Sequence, residues 1–176
     1  MGKMALSYSR LNTFENCAAQ FDHLYVSKTV VSSTNDAADY GDRVHKTLEL
    51  LGKDELFREL STEEQQTVDR WGHLVNMFKL KAVGGAIHFE YQMAVNESLS
   101  AVDWFDADVY FRAIADVLVI VGNTAYMFDY KTGKVRESPL QLQLFAAMVF
   151  WCFPQVQRVA TSVLWLKFDK TSDAVF

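Results

Sequence analysis

Two aspartates and a lysine, Asp116, Asp129 and Lys131, are the residues whose types and spacing could do chemistry. Side chains alternate along a strand, so Lys131 shares a face with Asp129 if this stretch is extended. Two carboxylates near apolar side chains repel each other, and a divalent cation such as magnesium or manganese would relieve the conflict. The lysine could then hold a water or a substrate phosphate beside the metal. A salt bridge at the end of a surface strand is the alternative, and on these residues alone it is the simpler interpretation.

A β-hairpin is the element that would bring the two aspartates together. Two runs rich in β-branched and aromatic residues flank Gly122-Asn123, a pair suited to the positive φ angles of a tight turn. If the residues on either side of this pair face each other, Asp116 lies directly opposite Asp129. A one-residue change of turn would bring Tyr130 opposite instead, so the register is a hypothesis.

Composition and length set the class of protein. The chain has 176 residues, half of them apolar, which predicts a single globular domain over 1–176. The formal charge of −5 argues against a generally basic nucleic-acid-binding surface, so such binding would need local patches or metal ions. Cys17 and Cys152 form neither a disulfide framework nor a metal-cysteine motif. No apolar run approaches a membrane span and no signal peptide opens the chain, so we expect a cytoplasmic, intracellular protein without a membrane partner.

Apolar periodicity and capping residues predict the other elements. Helices are predicted over 7–26, from Asp36 to Leu51, from Ser61 to near Gly84, and from Pro139 to about Cys152. A polar loop is predicted from Ser27 to Asn35, and strands over 86–95 and 156–168 besides the hairpin. In the strand 86–95, Ile87, Phe89, Tyr91 and Met93 alternate with a polar face that carries Glu90. The chain thus divides into a mainly helical part, 1–85, and a sheet-rich part, 86–176.

Six short motifs, in this order, resemble those of the PD-(D/E)XK nucleases, in particular the RecB-like branch that includes standalone phage and archaeal exonucleases and CRISPR-adaptation nucleases. They are Ser7-Tyr8-Ser9-Arg10-Leu11 through Phe14 to Cys17, Gly41 through His45 to Glu49, Glu90, Asp116, Asp129-Tyr130-Lys131 followed by Thr132-Gly133-Lys134, and Gln141 to Phe145. Each motif alone is weak, but together they cover most of the chain. The resemblance implies an α/β, restriction-endonuclease-like fold with an αβββαβ core, a mixed central sheet and extra N-terminal helices.

The resemblance also implies roles for individual residues. The metal would be held by His45, Asp116, Asp129 and the backbone carbonyl of Tyr130. Lys131 would orient the attacking water and stabilise charge growing on the phosphate.

The resemblance further implies that Gln141 helps to seat the DNA backbone near the cut. Glu49 and Glu90 are candidates to support the ligands from behind, and a purely structural role is as plausible for each. Basic residues near the site could form a rim for DNA, although a solvated scatter of charge is the alternative. The rim residues are Arg10, Arg43, Lys134 and Arg136.

Three departures from the family pattern bear on the cofactor and the site. Ala113 stands where relatives usually have glycine three residues before the aspartate, and Phe145 replaces a tyrosine. The iron–sulfur subgroup needs four cysteines, of which only Cys17 is in place, because Cys152 falls within the helix after the metal site. We therefore expect Mg²⁺ or Mn²⁺ as cofactor and no iron–sulfur cluster.

The sequence thus predicts a divalent-metal-dependent DNA nuclease, an exonuclease of DNA recombination, repair or phage DNA metabolism acting on linear or single-stranded DNA. A structure-specific endonuclease and a non-catalytic DNA-binding module on the same fold are the alternatives. The presence of Asp116, Asp129 and Lys131 together speaks against the last of these. The sequence points to no protein partner, and it does not separate DNA from RNA or fix the oligomeric state.

Overall fold

The computed structural model describes residues 4–30, 36–136 and 138–176. Its helices are α1 (Tyr8–Asn16), α2 (Ala18–Phe21), α3 (Asp36–Gly52), α4 (Thr62–Lys81) and α5 (Pro139–Cys152), with a π-helical turn over Asp22–Val26 and a 3₁₀ turn over Leu166–Phe168. Its strands are β1 (Ala86–Val95), β2 (Phe111–Val121), β3 (Thr124–Lys131), β4 (Arg158–Trp165) and β5 (Lys170–Val175). No helix among the described residues is long and apolar enough to cross a membrane.

The five strands form one mixed sheet in the order β1-β2-β3-β4-β5. Neighbouring strands are antiparallel except β3 and β4, which are parallel and are joined by the crossover helix α5. A parallel pair needs such a long connection, because its strands begin at the same end of the sheet. The predicted α/β fold with an αβββαβ core and extra N-terminal helices is confirmed. The strand β5 extends it beyond the prediction.

The predicted register of the hairpin is confirmed for the paired residues of β2 and β3. Pairing begins at Val121 with Thr124 and ends at Val117 with Phe128. Gly122 has a φ of 59°, a left-handed conformation that glycine adopts without steric cost. In the same register the next pair would be Asp116 with Asp129, one position beyond the end of the regular ladder.

Three elements differ from the prediction. The single helix expected over 7–26 is broken at Cys17, which is extended, with a φ of −160°, and whose Sγ accepts from the backbone N–H of Gln20 at the start of α2. The strand expected over 156–168 ends at Trp165, because a 3₁₀ turn and the left-handed Asp169 reverse the chain into β5. Of the predicted polar loop from Ser27 to Asn35, residues 31–35 lie outside the described part of the chain.

Helices cover both faces of the sheet, which gives two buried layers. One layer, here called the α5 side, joins the sheet to α5 through residues such as Met127, Phe145 and Met148. The other layer, the α3/α4 side, joins it to α3 and α4 through residues such as Leu48 and Phe78. The sheet therefore has no fully solvated face near β2 and β3.

Apolar residues of β2 change sides at Asp116. Ala113 and Ala115 pack on the α5 side, whereas Val117 and Val119, which should share their face, pack on the α3/α4 side. Because strand side chains alternate with period two, such a change requires a local departure from regular strand geometry. The change of face puts Asp116 between the two layers rather than squarely in either.

The paired strand β1 changes sides at the same level. Tyr91 and Met93 pack on the α5 side, whereas Ile87 and Phe89 pack on the α3/α4 side. The predicted single apolar face of this strand is therefore wrong, and Glu90, which was expected on its polar face, lies at the point of change. Its φ is 51°, a left-handed angle that is uncommon for a residue with a side chain.

Candidate active site

Asp116 is the residue through which the candidate site is connected. It is buried, and its Oδ1 lies 3.3 Å from Nδ1 of His45 on α3. Its Oδ2 accepts a hydrogen bond of 2.5 Å from the backbone N–H of Tyr130 on β3. The carboxylate thus takes the place of a strand partner for Tyr130 beyond the end of the regular ladder. One side chain therefore holds together α3, β2 and β3.

Glu90 lies opposite Asp116 on the neighbouring strand. The pairs Phe89–Val117 and Tyr91–Ala115 keep one register, so Glu90 and Asp116 occupy the intervening position. One carboxylate oxygen from each, together with a ring nitrogen of His45, lies within 4.8 Å of the others. Burial, and next the negative charge of Asp116, raise the pKa of Glu90 to about 7. Two carboxylates and an imidazole thus lie close together, in surroundings that favour the protonated form of Glu90.

His45 reaches this space from the other layer. It lies on α3 between the buried Val44 and Leu48, whose side chains anchor that helix to the sheet. Its ring meets that of Tyr130 edge to face, with centroids 5.6 Å apart. Burial lowers the pKa of His45, but the hydrogen bond and charge of Asp116 outweigh burial and leave the pKa raised. The imidazole is therefore held in place by a carboxylate and an aromatic edge.

Asp129 and Lys131 form an ion pair on the α5 side. Lys131 Nζ lies 2.7 Å from Oδ2 of Asp129, which confirms that the two side chains share a face. Oδ1 of Asp129 lies 3.5 Å from Nε2 of Gln141, a donor at the start of α5. Burial raises the pKa of Asp129, and the charge of Lys131 opposes this rise. Burial lowers the pKa of Lys131, but Asp129 more than compensates, so the pKa is raised and the amine stays an ammonium.

Asp129 is outside the group formed by His45, Glu90 and Asp116 among the described residues. The alternation of side chains along β3 explains the separation. Ala125 and Met127 pack on the α5 side, and Asp129 follows them at the same spacing of two residues. The structure therefore gives the candidate site two halves. The half nearer α3 contains His45, Glu90 and Asp116. The half nearer α5 contains Asp129, Lys131 and Gln141.

Glu49 has other partners. Its carboxylate lies 2.8 Å from Lys46 Nζ and 2.6 Å from Lys53 Nζ, so two ammonium groups neutralise it. Burial raises the pKa of Glu49, but these two lysines outweigh burial and lower it. The negative charge of Glu49 also contributes to the raised pKa of Glu90. Glu49 therefore borders the acid cluster without joining it.

The four expected rim residues have different surroundings. Arg43 makes a two-point ion pair with Glu63 on α4, with Nε to Oε2 at 2.9 Å, so its charge is matched within the protein. Arg10 donates to the carbonyl of Ala5. Lys134 and Arg136 are exposed on the segment between β3 and α5. Of the four, Arg10 alone lines the cleft that contains Asp129 and Lys131.

The structure brings together most of the residues singled out from the sequence and adds one feature that the sequence conceals. Glu90 is close enough to Asp116 and His45 to bind an ion with them, rather than to support ligands from behind. No sequence signal announces a left-handed glutamate within a strand.

The residues present fit a divalent cation. Carboxylate oxygens are hard ligands suited to magnesium or manganese, and an imidazole nitrogen suits manganese as well. A cation between Glu90 and Asp116 would compensate the burial and repulsion that raise the pKa of Glu90. The donor set is thus chemically suited to the metal, and its charge conflict gives the metal a reason to bind.

The chain is similar to known proteins at two levels, a sequence family and a solved structure. A family model described as the PD-(D/E)XK nuclease superfamily matches residues 5–171. A solved structure described as "Crystal structure of SSO0001" is similar at 13% sequence identity and a TM-score of 0.34, over 85% of this chain and 72% of that one. None of the curated proteins matches the sequence.

Proposed function

The chain belongs to the PD-(D/E)XK nuclease superfamily, and from this premise we propose that it is a metal-dependent exonuclease of DNA. Nucleases of this superfamily use divalent metals, and DNA is the substrate that the family implies. The observation that carries the proposal is the Asp129–Lys131 ion pair of 2.7 Å beside the buried Asp116 and its cluster. A domain that only bound DNA would gain nothing from burying this set of charges together.

The proposed metal ligands are His45, Asp116, Asp129 and the carbonyl of Tyr130, to which we add Glu90. The N–H of Tyr130 is directed to Asp116, and in a strand the N–H and C=O of one residue face the same neighbour. That geometry supports a role for the Tyr130 carbonyl. A divalent cation held there supplies positive charge to a phosphodiester and lowers the pKa of the attacking water.

Lys131 and Gln141 have roles of their own in the proposal. The ammonium group of Lys131 supplies fixed positive charge where the phosphate gains negative charge, which favours the transition state over the ground state. Asp129 orients it through the ion pair. Gln141 can donate to Asp129, and its second amide hydrogen could bind the DNA backbone.

Finer features of the proposal rest on the sequence. The six motifs support assignment to the RecB-like branch, with residues 1–176 as one nuclease domain. They support an exonuclease role in recombination, repair or phage DNA metabolism on linear or single-stranded DNA. The donor set of carboxylates with one imidazole suits Mn²⁺ at least as well as Mg²⁺.

Incubation with end-labelled linear DNA and with closed-circular DNA, in Mn²⁺, Mg²⁺ or chelator, tests the proposal. Metal-dependent degradation of linear DNA alone supports the exonuclease. Nicking of closed circles would replace it with a structure-specific endonuclease. The Lys131→Ala variant is the matched control for a contaminating nuclease, because it keeps the metal ligands and should lose most activity. Binding of both DNAs without cleavage in either metal would indicate a binding module and overturn the proposal.

A further inference from the structure

A cleft of about 740 Å³ leads away from the α5 half of the site. Its lining includes Asp129, Lys131 and Gln141 of the site together with Arg10 and Arg112. A second cleft of about 650 Å³ is also lined by Arg10 and Arg112. The catalytic residues therefore lie in a cleft whose two arginines also line a second cleft, and the two clefts together are called the groove here.

Each of the two arginines in the groove lies over an aromatic ring. The guanidinium of Arg112 lies 5.0 Å from the ring centroid of Trp104, and that of Arg10 lies 5.0 Å from the ring centroid of Tyr25. A cation–π contact of this kind restrains the guanidinium over the ring. The Nε of Arg112 is buried and makes no hydrogen bond within the described residues. Because this atom is buried, a ligand in the groove can reach only the remaining nitrogens of the guanidinium.

The charge of the groove is opposite to that of the whole protein. Its described lining in the larger cleft includes three cations, Arg10, Arg112 and Lys131, and a single carboxylate, Asp129, which is paired with Lys131. The second cleft adds Lys28 and one carboxylate, Asp106. A cationic groove on a chain with a net charge of −5 concentrates attraction for a polyanion along one path.

An exposed aromatic residue lies at the edge of this groove. Phe105 follows Trp104 and precedes Asp106, which line the two clefts, and its side chain is 87% exposed. A ring exposed in this place is accessible to a ligand that occupies the groove. Unpaired nucleobases stack on such rings irrespective of sequence, whereas paired bases are covered by their own neighbours.

Backbone pairing fixes the two walls of the groove to each other. The N–H of Leu6 donates to Tyr110 O at 2.7 Å, and the N–H of Arg112 donates to Leu6 O at 2.9 Å. The segment before α1 is thereby joined to the first residues of β2. Arg10 and Arg112 are held on a preorganised surface rather than on independent loops.

We infer that this groove is a subsite for an unpaired DNA strand, adjacent to the scissile phosphate. Arg112 and Arg10 bind backbone phosphates, and Phe105 stacks on a base. The inference rests on the proposed function, since it names the form of DNA that the same site accepts. Unpaired DNA then reaches the catalytic residues along the groove, and a duplex must open at its end to enter it.

Fluorescence anisotropy in chelator, where cleavage is absent, tests the subsite directly. The probes are a single strand of about 12 nucleotides, within the usual site size for such grooves, and a blunt duplex of the same sequence. Phe105→Ala and Arg112→Gln should each weaken single-strand binding about tenfold and change duplex binding little. Arg112→Gln should also reduce the slope of log affinity against log salt by about 0.7, the value for one lost phosphate contact on a single strand.

The chain offers a matched control for each variant. Phe57 is 88% exposed on the segment between α3 and α4, away from the groove, so Phe57→Ala controls for removal of an exposed ring. Arg70 stacks on Trp71 at 5.0 Å, so Arg70→Gln controls for removal of a stacked arginine. Neither control should change single-strand affinity.

The outcomes separate the subsite from the proposed function. Unchanged single-strand affinity in both groove variants, equal losses in the controls, or no single-strand binding by the parent would overturn the inference. If linear DNA is still cut in Mn²⁺, the nuclease function stands without the subsite. If binding depends on Phe105 and Arg112 but no DNA is cut in either metal, the subsite stands and the nuclease function fails.

Discussion

Glu90 on β1 lies opposite Asp116 on β2, and at this one pair both strands exchange the faces on which their apolar side chains pack. Because both strands change together, the register on either side is preserved. The exchange lets each strand contribute to both buried layers of the sheet. It also leaves the two carboxylates at the crossing point, within reach of His45 from α3.

Glu90→Gln should stabilise the metal-free protein and weaken its response to metal. Like charges opposite each other on adjacent strands cost up to about 1 kcal/mol, which corresponds to about 2–4 °C in Tm for a chain of this size. In chelator at pH 8, above the raised pKa of Glu90, the variant should therefore melt higher than the parent. With Mn²⁺ the order should reverse or the gap should close, because a ligand is lost. Thermal denaturation with and without metal measures both effects.

Glu49→Gln is the contrast for that experiment. Its carboxylate is paired with Lys46 and Lys53, so removing the charge leaves two ammonium groups without their partner. The metal-free Tm should fall or stay constant, while the shift produced by Mn²⁺ should be retained. A higher metal-free Tm in Glu49→Gln than in Glu90→Gln would contradict the assignment of repulsion to the Glu90–Asp116 pair.

Asp116→Asn should abolish cleavage while keeping the fold. The amide oxygen of asparagine can still accept from the N–H of Tyr130, so the link between β2 and β3 survives. The negative charge that a cation needs is lost, so manganese affinity should fall about tenfold or more. Calorimetric titration with Mn²⁺ and circular dichroism check the two expectations. Parental activity in the variant would remove Asp116 from the site.

His45→Ala should weaken the metal less severely. The imidazole is one ligand beside acidic ones, and its loss removes a neutral donor rather than a charge. It also removes an edge-to-face contact with Tyr130, so a modest loss of stability is expected. Raising the Mn²⁺ concentration should restore much of the cleavage rate. If activity is unchanged at every metal concentration, His45 is structural.

Lys131→Ala should separate chemistry from assembly. An ammonium cannot coordinate a cation, so manganese affinity should be unchanged or slightly raised, and DNA should still bind. The cleavage rate should fall about 10²-fold or more, the scale for losing one preorganised electrostatic group. Single-turnover cleavage beside calorimetry measures both quantities.

Lys131→Arg is the companion variant. Its planar guanidinium cannot occupy the point that Nζ occupies 2.7 Å from Asp129, so it should rescue the rate poorly. Cleavage at the parental rate by Lys131→Ala, or loss of metal together with activity, would show that the role given to Lys131 is wrong.

Protein purified without oxygen should be colourless and free of iron and acid-labile sulfide. Cys17 is exposed, and Cys152 lies at the end of α5 with a thiol whose pKa is raised by burial. Two separated thiols cannot hold a cubane cluster. Iron and sulfide analysis tests this, and stoichiometric amounts of both would refute it.

The sequence was most informative where local chemistry decides the structure. Gly122 allows a tight turn, and the turn then fixes the register of the whole β2–β3 ladder. Ser61 and Glu64 form the capping box that opens α4, with each side chain accepting from the backbone N–H of the other residue. Such signals lie within a few residues of the structure that they determine.

Features set by tertiary packing could not be predicted from the sequence. The alternation through Phe89, Tyr91 and Met93 is regular, so nothing in it reveals that the strand changes faces at Glu90. The apolar spacing of the first helix likewise continues through Cys17, where the backbone becomes extended. In the candidate site, the identity of Asp116, Asp129 and Lys131 was readable, but the division into two halves depends on how the layers cover the sheet.

The arrival of His45 from α3 makes the candidate site a junction between layers. The hairpin aspartates lie on neighbouring strands, whereas α3 reaches them from far earlier in the chain. A bound cation would link that helix to the sheet, because its ligands come from both. Adding Mn²⁺ should therefore slow amide hydrogen exchange along α3 far more than in β4, which supplies no proposed ligand, and this difference would show that the bound cation restrains the helix.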